Sequence, residues 1–418
     1  MEEWKESIIE QTSIQMIDGD RGKNYPKNSD FFSQGYCLFL NAGNVTKSGF
    51  SFSDNAFITE DKDQLLRKGR LERNDVVITT RGTVGNVALY DSSVPYEHIR
   101  INSGMLILKG GRDILPEYLY YFLKGSRFQT QIDQFVSGSA QPQLPKSTLG
   151  KMKISFPVEL NVQKRICGVL KSLDDKIEVN RRINDNLEQQ AQALFKSWFV
   201  DFEPFRDQPF VESELGMIPQ GWRVGTLNEL GDVVGGSTPS KAKPEYYTNN
   251  GIAWLTPKDL SISQRKFTSK GEIDITEEGY DSCSTKLMPR GTVLFSSRAP
   301  IGYITIAKNN ICTNQGFKSV IPTLAGTAFL YCFLKESTQE IENKATGSTF
   351  KEASGALMKS LTAIIPEKEV LDDFEIMLRP LFNQQEVVEE ENFRLAQLRD
   401  TLLPRLMSGE IKVGDVTL

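Results

Sequence analysis

The sequence is poor in the side chains that enzymes use most often for nucleophilic and metal chemistry. Its 418 residues include one histidine, His98, and five scattered cysteines that form no Cys-x-x-Cys pair. A Ser-His-Asp or Cys-His site would have to use His98, and nothing in its YEHIR context suggests a triad. No zinc-ligand spacing exists either. We expect His98 to be a surface or strand-end residue, and the cysteines to be reduced thiols of a cytoplasmic protein.

Nucleotide-binding and catalytic motifs are missing as well. The sequence has no G-x-x-x-x-G-K-[ST] phosphate loop and no G-x-G-x-x-G motif. Gly82 and Gly85 bracket a turn, which backbone geometry explains without a ligand. The chain also lacks the Asn-Pro-Pro-aromatic motif of adenine methyltransferases and a carboxylate-carboxylate-lysine nuclease pattern. These absences favour a binding and spacing protein over an enzyme.

Long apolar runs and a strong excess of either charge are also lacking. No run of 18 apolar residues occurs, so we expect no transmembrane helix. The amino terminus is acidic and has no apolar centre, so we expect no signal peptide. The formal net charge is −5, and the segment 368–418 is acidic. Any DNA binding would therefore need a local basic face.

The most prominent positive feature is a heptad pattern between residues 159 and 201. At 1.5 Å per residue, about 40 helical residues form a rod roughly 60 Å long. Two polar positions within the pattern would fix the register of a helix pair. An ordinary amphipathic core helix is the simpler alternative. The seam comprises Ile166, Leu170, Leu173, Ile177, Asn180, Asn184, Leu187, Ala191, Leu194 and Trp198.

A second seam follows the same rhythm near the end of the chain. Pro380 predicts a kink or a restart within it. The two helices could pack antiparallel on each other, and an obligate dimer through either helix is the alternative. The second seam comprises Leu371, Phe374, Leu378, Leu381, Gln385, Val388, Asn392, Leu395 and Leu402.

The second half of the chain repeats the first. Five landmarks recur in the same order with offsets that shrink from 218 to 209, and a long heptad helix follows each copy. Such order indicates an internal duplication. The matched pairs are Trp4 with Trp222, Arg81 with Arg298, Asn102 with Asn314, Gly138 with Gly347, and Pro157 with Pro366.

The globular halves read as mixed α/β. The segment NDVVITTRGTVGNVALYD predicts strand, turn and strand. PEYLYYFLKGSRFQTQI predicts a helix that begins at Pro116. GSAQPQLPKSTLGKMKISFP predicts a loop, a short element and a strand that ends at Pro157. We predict an α+β protein with globular domains at 1–157 and 204–367, each followed by a long helix, at 158–203 and at 368–418.

Three segments resemble a known family. GMIPQGWRVGTLNELGDVVGGSTPSKAKPEYYTNNGIAWLTPKDL (216–260) resembles the opening of a target recognition domain in specificity subunits of type I restriction-modification systems. FKSWFVDFEPF (195–205) is similar to the end of that family's first conserved helix, and LRDTLLPRLMSGEIKV (398–413) to its C-terminal signature. The first half departs from the pattern because it lacks the Gly-Trp opening and the Gly-Thr-Pro step.

The resemblance implies both architecture and partners. Two similar target recognition domains would be joined and separated by antiparallel coiled-coil helices, with a pseudo-twofold relation that suits a split target on duplex DNA. Each domain would read one half-site, and the helices would set the unread spacer. Two adenine methyltransferase subunits that use S-adenosylmethionine would dock on the chain, and restriction subunits could join. The chain itself would bind no cofactor, no metal and no membrane.

Side-chain chemistry suggests candidate DNA contacts within the architecture that the resemblance implies. Arg81 and Arg298 occupy equivalent turns and could clamp phosphate or guanine, although each could be a solvated hairpin arginine. Asn102 and Asn314 could pair with adenine edges, but such amides also cap strand ends. The full set of candidates is Arg81, Thr83, Asn102, Gln141, Gln143, Lys146, Lys241, Lys243, Tyr246, Arg298, Asn314, Gln315, Lys318, Ser348, Thr349 and Lys351.

Two rival functions remain open at this point. One is a coiled-coil tethering protein whose globular ends bind proteins. The other is a nuclease or methyltransferase with a degenerate motif. The missing catalytic groups count against the enzyme, and the duplicated halves count against the tether.

Overall fold

The computed structural model describes residues 3–136, 142–263, 265–347 and 351–416. The chain divides into two compact units. The first unit comprises residues 1–177 and 394–418, and the second comprises residues 178–393. Both boundaries fall inside long helices, so each unit contains one segment of each long helix.

The first unit combines short strands with short helices and the start of a long one. The strands are β1 (Trp4–Ile8), β2 (Gln15–Asp18), β3 (Cys37–Leu40), β4 (Val45–Thr46), β5 (Gly49–Phe50), β6 (Phe57–Ile58), β7 (Val76–Thr79), β8 (Val87–Leu89), β9 (Ile99–Ile101), β10 (Met105–Lys109) and β11 (Lys153–Pro157). The helices are α1 (Glu60–Leu65), α2 (Pro116–Lys124), α3 (Ser126–Val136), α4 (Lys146–Gly150) and the long α5 (Leu160–Phe199), which continues into the second unit.

The second unit has a parallel inventory. The strands are β12 (Phe210–Ser213), β13 (Gly216–Pro219), β14 (Arg223–Thr226), β15 (Gly231–Gly235), β16 (Tyr247–Thr248), β17 (Trp254–Leu255), β18 (Phe267–Thr268), β19 (Asp274–Ile275), β20 (Val293–Ser297), β21 (Ile301–Ala307), β22 (Cys312–Thr313), β23 (Lys318–Pro322) and β24 (Thr362–Ile365). The helices are α6 (Leu227–Leu230), α7 (Pro257–Ile262), α8 (Glu277–Asp281), α9 (Thr327–Glu336), α10 (Thr338–Lys344), α11 (Gly355–Lys359) and the long α12 (Lys368–Ser408).

Sheet topology confirms the internal duplication. The main sheet of the first unit has the order β2-β10-β7-β8, and that of the second has the corresponding order β15-β23-β20-β21 with β18 added at the edge. A two-stranded antiparallel sheet recurs as β1 with β11 and as β14 with β24. A parallel pair recurs as β3 with β9 and as β17 with β22. The sequence landmarks therefore mark equivalent places in two copies of one mixed α/β fold.

The core of the first unit lies between its main sheet and the helices. Val76 and Leu106 of the sheet are buried together with Tyr118 of α2. Leu170 of α5 and Leu406 of α12 complete the same cluster and are fully buried. The apolar faces of the first-unit segments of α5 and α12 are thus buried against the rest of this unit.

The long helices pair antiparallel within each unit. In the first unit, Arg399 of α12 donates to Asp174 of α5 at 2.8 Å. In the second, Asn180 Nδ2 donates to Asn392 Oδ1 at 2.9 Å. In the same unit the Asn184 carbonyl accepts from Gln385 at 3.2 Å, so higher numbers on α5 meet lower numbers on α12 and the chain directions are opposed. Asn180, one of the two asparagines predicted to fix the register, therefore contacts Asn392, a polar position of the second seam.

Three details differ from the sequence-based expectation. Helix α12 runs through Pro380 without the predicted restart. The helix predicted to begin at Pro116 does begin there, but Gly125 separates it into α2 and α3. Near its end, α5 buries Phe195 and Phe199 more fully than the predicted seam residues Leu194 and Trp198.

That last difference has a physical cause in the second unit. The end of α5 packs against α9 and α12 through aromatic rings, and Phe199 lies 4.8 Å from both Phe329 and Phe374 between ring centroids. Such edge-to-face contacts add to the burial of apolar surface. The heptad pattern alone describes a helix with one partner, whereas this segment contacts two.

Several further predictions concern chemistry rather than fold. His98 lies directly before β9, where its ring stacks on Tyr36 at 4.2 Å, so it is the strand-end residue that was expected. All five cysteines are free thiols, and burial raises the pKa of Cys167 and Cys332 to about 12. None of the helices in the described ranges has the length and hydropathy of a membrane span. Within the same ranges, no group of three or more His, Cys, Asp or Glu side chains is arranged to hold a metal ion.

Candidate nucleic-acid interface

In the second unit, three segments distant in sequence meet at the end of strand β20. The Asn314 side chain accepts a hydrogen bond from the Gly316 amide at 2.8 Å and closes a tight turn. The Gly316 carbonyl in turn accepts from the Ser297 amide at 2.7 Å. The Ala353 amide donates to the Ser297 carbonyl at 2.9 Å. These bonds place the residues after β20, the Asn314 turn and the segment before α11 side by side.

Charged side chains project from this junction. Arg298 and Lys318 both bond the carboxylate of Glu352, at 3.3 and 3.2 Å. The Lys318 side chain is 15% exposed and that of Arg298 is 35% exposed. Arg298 is thus half-buried and ion-paired, so it is not the solvated hairpin arginine that the sequence left open as an alternative. Two cations and one carboxylate leave this cluster with a net positive charge.

The candidates Lys241, Lys243 and Tyr246 form a basic-aromatic patch on a neighbouring segment. Lys241 and Lys243 are exposed, and Lys243 donates to the hydroxyl of half-buried Tyr246 at 2.9 Å. This hydrogen bond raises the pKa of Lys243. The loop before the patch is joined to the Asn314 turn by a hydrogen bond, which Thr238 donates to the side chain of exposed Gln315.

The first unit builds the same junction with different side chains. The Asn102 side chain accepts from the Gly104 amide at 2.8 Å, as Asn314 does from Gly316. The Thr80 amide donates to Gly104, and the Leu144 amide donates to Thr80, at 2.7 and 3.0 Å. Both asparagine side chains therefore cap turns through Oδ1. The side-chain Nδ2 group of each takes no part in that hydrogen bond. Arg81 follows Thr80 and is exposed.

The remaining candidates of the first unit lie around this junction. Gln143 forms a β-bridge with Arg81, so the two side chains start from adjacent backbone. Thr83 is exposed, and its carbonyl accepts from the Thr79 hydroxyl. Lys146 is exposed at the first position of α4. Gly82 and Gly85 have positive φ values of 74° and 92°, which supports the geometric explanation of this turn.

Some candidates lie elsewhere. Gln141, Ser348 and Thr349 fall outside the described residues. Lys351 is exposed, and its ammonium group donates to the Glu342 carbonyl at 3.4 Å.

Sequence reasoning missed Glu352 and Thr238. Glu352 pairs with both Arg298 and Lys318 at the junction. Its offset of 209 from Gln143 equals the offset that relates Pro157 to Pro366. The repeat itself could therefore have identified it. Thr238 carried no comparable signal, because only the fold brings it to Gln315.

The second unit also contains a buried polar cluster, here called the Lys266 cluster, where its globular part meets the helices. Lys266 donates to Glu188 of α5 at 2.8 Å and to Gln385 of α12 at 2.7 Å. The backbone amides of Lys266 and Phe267 donate to Glu389 of α12 at 2.8 and 3.1 Å. One short segment is thus attached to both helices at once.

Charge balance in this cluster depends on Glu188. Its carboxylate also accepts from Lys335 at 2.5 Å. Burial opposes the ionisation of Glu188, but Lys266 and Lys335 together lower its pKa to about 2. The pKa of Lys266 is lowered by burial, against the attraction of Glu188, while its ammonium group lies 3.5 Å from the centroid of the Phe382 ring. The Glu188 carboxylate therefore stays ionised at neutral pH.

Two copies of one α/β domain, each with an equivalent polar junction and each packed on an antiparallel helix pair, define a duplicated recognition architecture. Comparison with known proteins identifies its family. The family model for the type I restriction modification DNA specificity domain matches residues 1–189 and 219–389. The chain therefore belongs to this family and is a type I specificity subunit with two specificity domains, as a two-part DNA target requires.

Individual relatives show the same extent. The HindI specificity subunit of Haemophilus influenzae is 26% identical over 98% of this chain and 100% of its own length. The MjaIX specificity subunit of Methanocaldococcus jannaschii is 38% identical over 43% of this chain and 44% of its own. The crystal structure of a type I S subunit from M. genitalium has a TM-score of 0.57 at 17% identity, covering 97% of this chain and 96% of that one. At this level of identity, the similarity to the M. genitalium subunit shows a shared fold.

Proposed function

We propose that each unit reads one half of a split duplex DNA site through its polar junction, and that the chain carries no catalytic activity of its own. The observation that supports this most is the repetition of one junction, with its turn arginine and its asparagine turn, in both family-matched regions. Arginine and amide side chains are the groups that most often read guanine and adenine in the major groove. A tethering role for the chain finds no comparable support.

Within this proposal, the chain assembles with two adenine methyltransferase subunits that use S-adenosylmethionine, and with restriction subunits where the host has them. Duplication supports the number two, because two equivalent copies of a fold offer two equivalent surfaces. The paired helices would set the spacer, and the cytoplasm is where DNA, methyltransferase and reduced thiols coexist.

Mapping of methylated adenines tests the proposal. The chain is expressed with its methyltransferase partner in a host that lacks other adenine methylation. We expect a motif of two short defined blocks separated by a fixed number of unread bases. A continuous motif, or methylation without sequence preference, would contradict the assignment of one half-site to each unit.

Replacing Arg298 by alanine should weaken specific DNA binding by about 5- to 150-fold, the range for one good base contact. If Arg298 contacts phosphate instead, the loss should be uniform across sequences, and the salt slope should fall by about one. Lys318 still neutralises Glu352 in this variant, so the fold should survive. The measurement is a salt titration of binding by the complex with its methyltransferase partner.

Arg290→Ala is the matched control for this experiment. Arg290 is an exposed arginine of the same unit that pairs with a glutamate, Glu386, at 3.0 Å. It lies outside the proposed interface, so its removal should leave affinity and salt slope unchanged. Equal behaviour of the two variants would show that Arg298 has no special role.

The isolated chain should not bind S-adenosylmethionine. The sequence lacks the glycine-rich loop and the Asn-Pro-Pro-aromatic motif that such a site would use. Calorimetric titration of the cofactor into the isolated chain should give no heat of binding, and the complex with the methyltransferase serves as the positive control. A stoichiometric site on the isolated chain would overturn this expectation.

A further inference from the structure

Positions 143 and 352 are structurally equivalent in the two units but carry different side chains. In each unit the following residue donates its amide to the last residue before the turn arginine: Leu144 to Thr80, and Ala353 to Ser297. The backbone at both positions therefore lies beside that arginine. The first unit has Gln143 there, and the second has Glu352.

The surroundings change together with this side chain. Lys318 pairs with Glu352 in the second unit, and the equivalent position in the first unit, at the offset of 212 that relates Asn102 to Asn314, is Leu106. Leu106 is 1% exposed, so no lysine reaches toward Gln143 from that position. A carboxylate near DNA phosphates needs neutralising cations, whereas an amide needs none. The extra lysine thus accompanies the extra carboxylate.

Neither side chain is buried, as a residue with a purely structural role in the interior would be. Glu352 is 36% exposed at its side chain, and Gln143 is exposed. Both oxygens of Glu352 are oriented by cations, at 3.3 Å from Arg298 and 3.2 Å from Lys318, and each oxygen keeps a further lone pair. A carboxylate held in this way is a pure hydrogen-bond acceptor at the surface of the junction.

We propose that positions 143 and 352 are specificity-determining residues that read corresponding base pairs in the two half-sites and select different bases. Glu352 accepts a hydrogen bond from the N4 amino group of cytosine, with Arg298 poised for the guanine of a G·C pair. Gln143 offers one donor and one acceptor and pairs with the N6 and N7 edge of adenine. This inference rests on the proposed function, because it assigns bases to the interface proposed above.

Reciprocal substitution tests the assignment. Glu352→Gln and Gln143→Glu are each expressed with the methyltransferase partner, and methylated adenines are mapped. We expect Glu352→Gln to lose its preference for cytosine by about 5- to 150-fold at one base pair of one half-site. Gln143→Glu should change one base pair of the other half-site. In each variant the spacer and the half-site read by the unsubstituted unit should stay as in the wild type.

Glu340→Gln is the matched control, since Glu340 is an exposed glutamate of the same unit that pairs with Lys344 at 2.6 Å on α10. If a variant does not methylate, binding of its complex is measured on duplexes that carry each of the four bases at every half-site position. A change confined to one position supports the inference. Uniform weakening over all positions overturns it.

The base assignment of positions 143 and 352 and the proposed function can be contradicted separately. If the wild type yields a two-part motif and both reciprocal variants keep every base preference, the assignment of positions 143 and 352 is wrong while the proposed function stands. If the wild type itself yields no two-part motif, the proposed function is wrong, and the assignment falls with it.

Discussion

Replacing Lys266 by alanine should lower the free energy of unfolding of the second unit by about 3–5 kcal/mol, the cost of breaking a buried ion pair from one side. Lys266 joins Glu188, Gln385 and the rings of Tyr331 and Phe382, and its side chain is 6% exposed. Its removal leaves polar groups of both helices without their shared donor. Denaturant unfolding of the whole chain, followed by tryptophan fluorescence, measures the loss.

Lys258→Ala is the control, because Lys258 forms an ion pair of similar length with Glu272 in the same unit, but both side chains are largely exposed. Its loss should hardly change stability. Lys266→Met, which keeps the aliphatic stem on the aromatic rings, should be less harmful than Lys266→Ala. Equal effects of Lys258→Ala and Lys266→Ala would show that the Lys266 cluster contributes no more than a surface pair.

The same cluster gives a pH dependence with a defined sign. The pKa of Glu188 falls from an ordinary value near 4.5 to about 2 on folding. Its contribution is therefore fully present above pH 4.5 and is lost as the pH falls toward 2. The shift corresponds to at most about 3 kcal/mol. Neighbouring Glu389 has a pKa raised by burial and acts in the opposite direction.

Comparison with Glu188→Gln isolates this contribution from that of Glu389. The stability difference between wild type and variant should be largest at neutral pH and should shrink below pH 4.5. A difference that is constant from pH 7 to pH 3 would contradict the ionised state of Glu188.

Lengthening both long helices by one heptad should lengthen the unread spacer of the target by up to about three base pairs. Seven residues add about 10.5 Å to a helix, and one base pair advances about 3.4 Å along DNA. The insertions follow Ile177 in α5 and Phe393 in α12, at the boundaries between the two units. A heptad keeps the seam in phase, so the helix pairing should survive.

Mapping of methylated adenines measures the spacer, and the two half-sites should remain unchanged. A four-residue insertion at the same points is the control for helical phase, and it should abolish recognition more often than retune it. An active heptad variant that keeps the original spacer would show that the helices do not measure the DNA.

Much of the fold follows from the sequence because its signals are periodic. The heptad seams predict both long helices, and the polar positions Asn180 and Asn392 do meet across the pair. The repeat landmarks predict two copies of one mixed fold. The aromatic contacts at the end of α5 escaped prediction, because they depend on α9, which no local period links to α5.

The interface was less predictable for a related reason. Asn102 and Asn314 were weighed both as base readers and as caps, and their bonds to the backbone establish the cap in both units. Arg298 has a partner, Glu352, that is 54 residues away in the sequence. The repeat offset marks Glu352 as the counterpart of Gln143, but its pairing with Arg298 arises only from the folded arrangement of three segments. DNA contact by these residues stays a prediction.

The first unit is built from two segments at opposite ends of the chain, and this affects the order in which the chain can fold during synthesis. Its core includes Leu402, Leu403, Leu406 and Met407, which the ribosome adds after the whole of the second unit. The second unit can therefore complete its core first, although it begins later in the chain. Until residues 394–418 emerge, the start of α5 presents Ile166, Leu170 and Leu173 without their α12 partners. A chain truncated before residue 394 would lack the four α12 side chains of this core, and the apolar surface that they cover would be a target for chaperones and proteases.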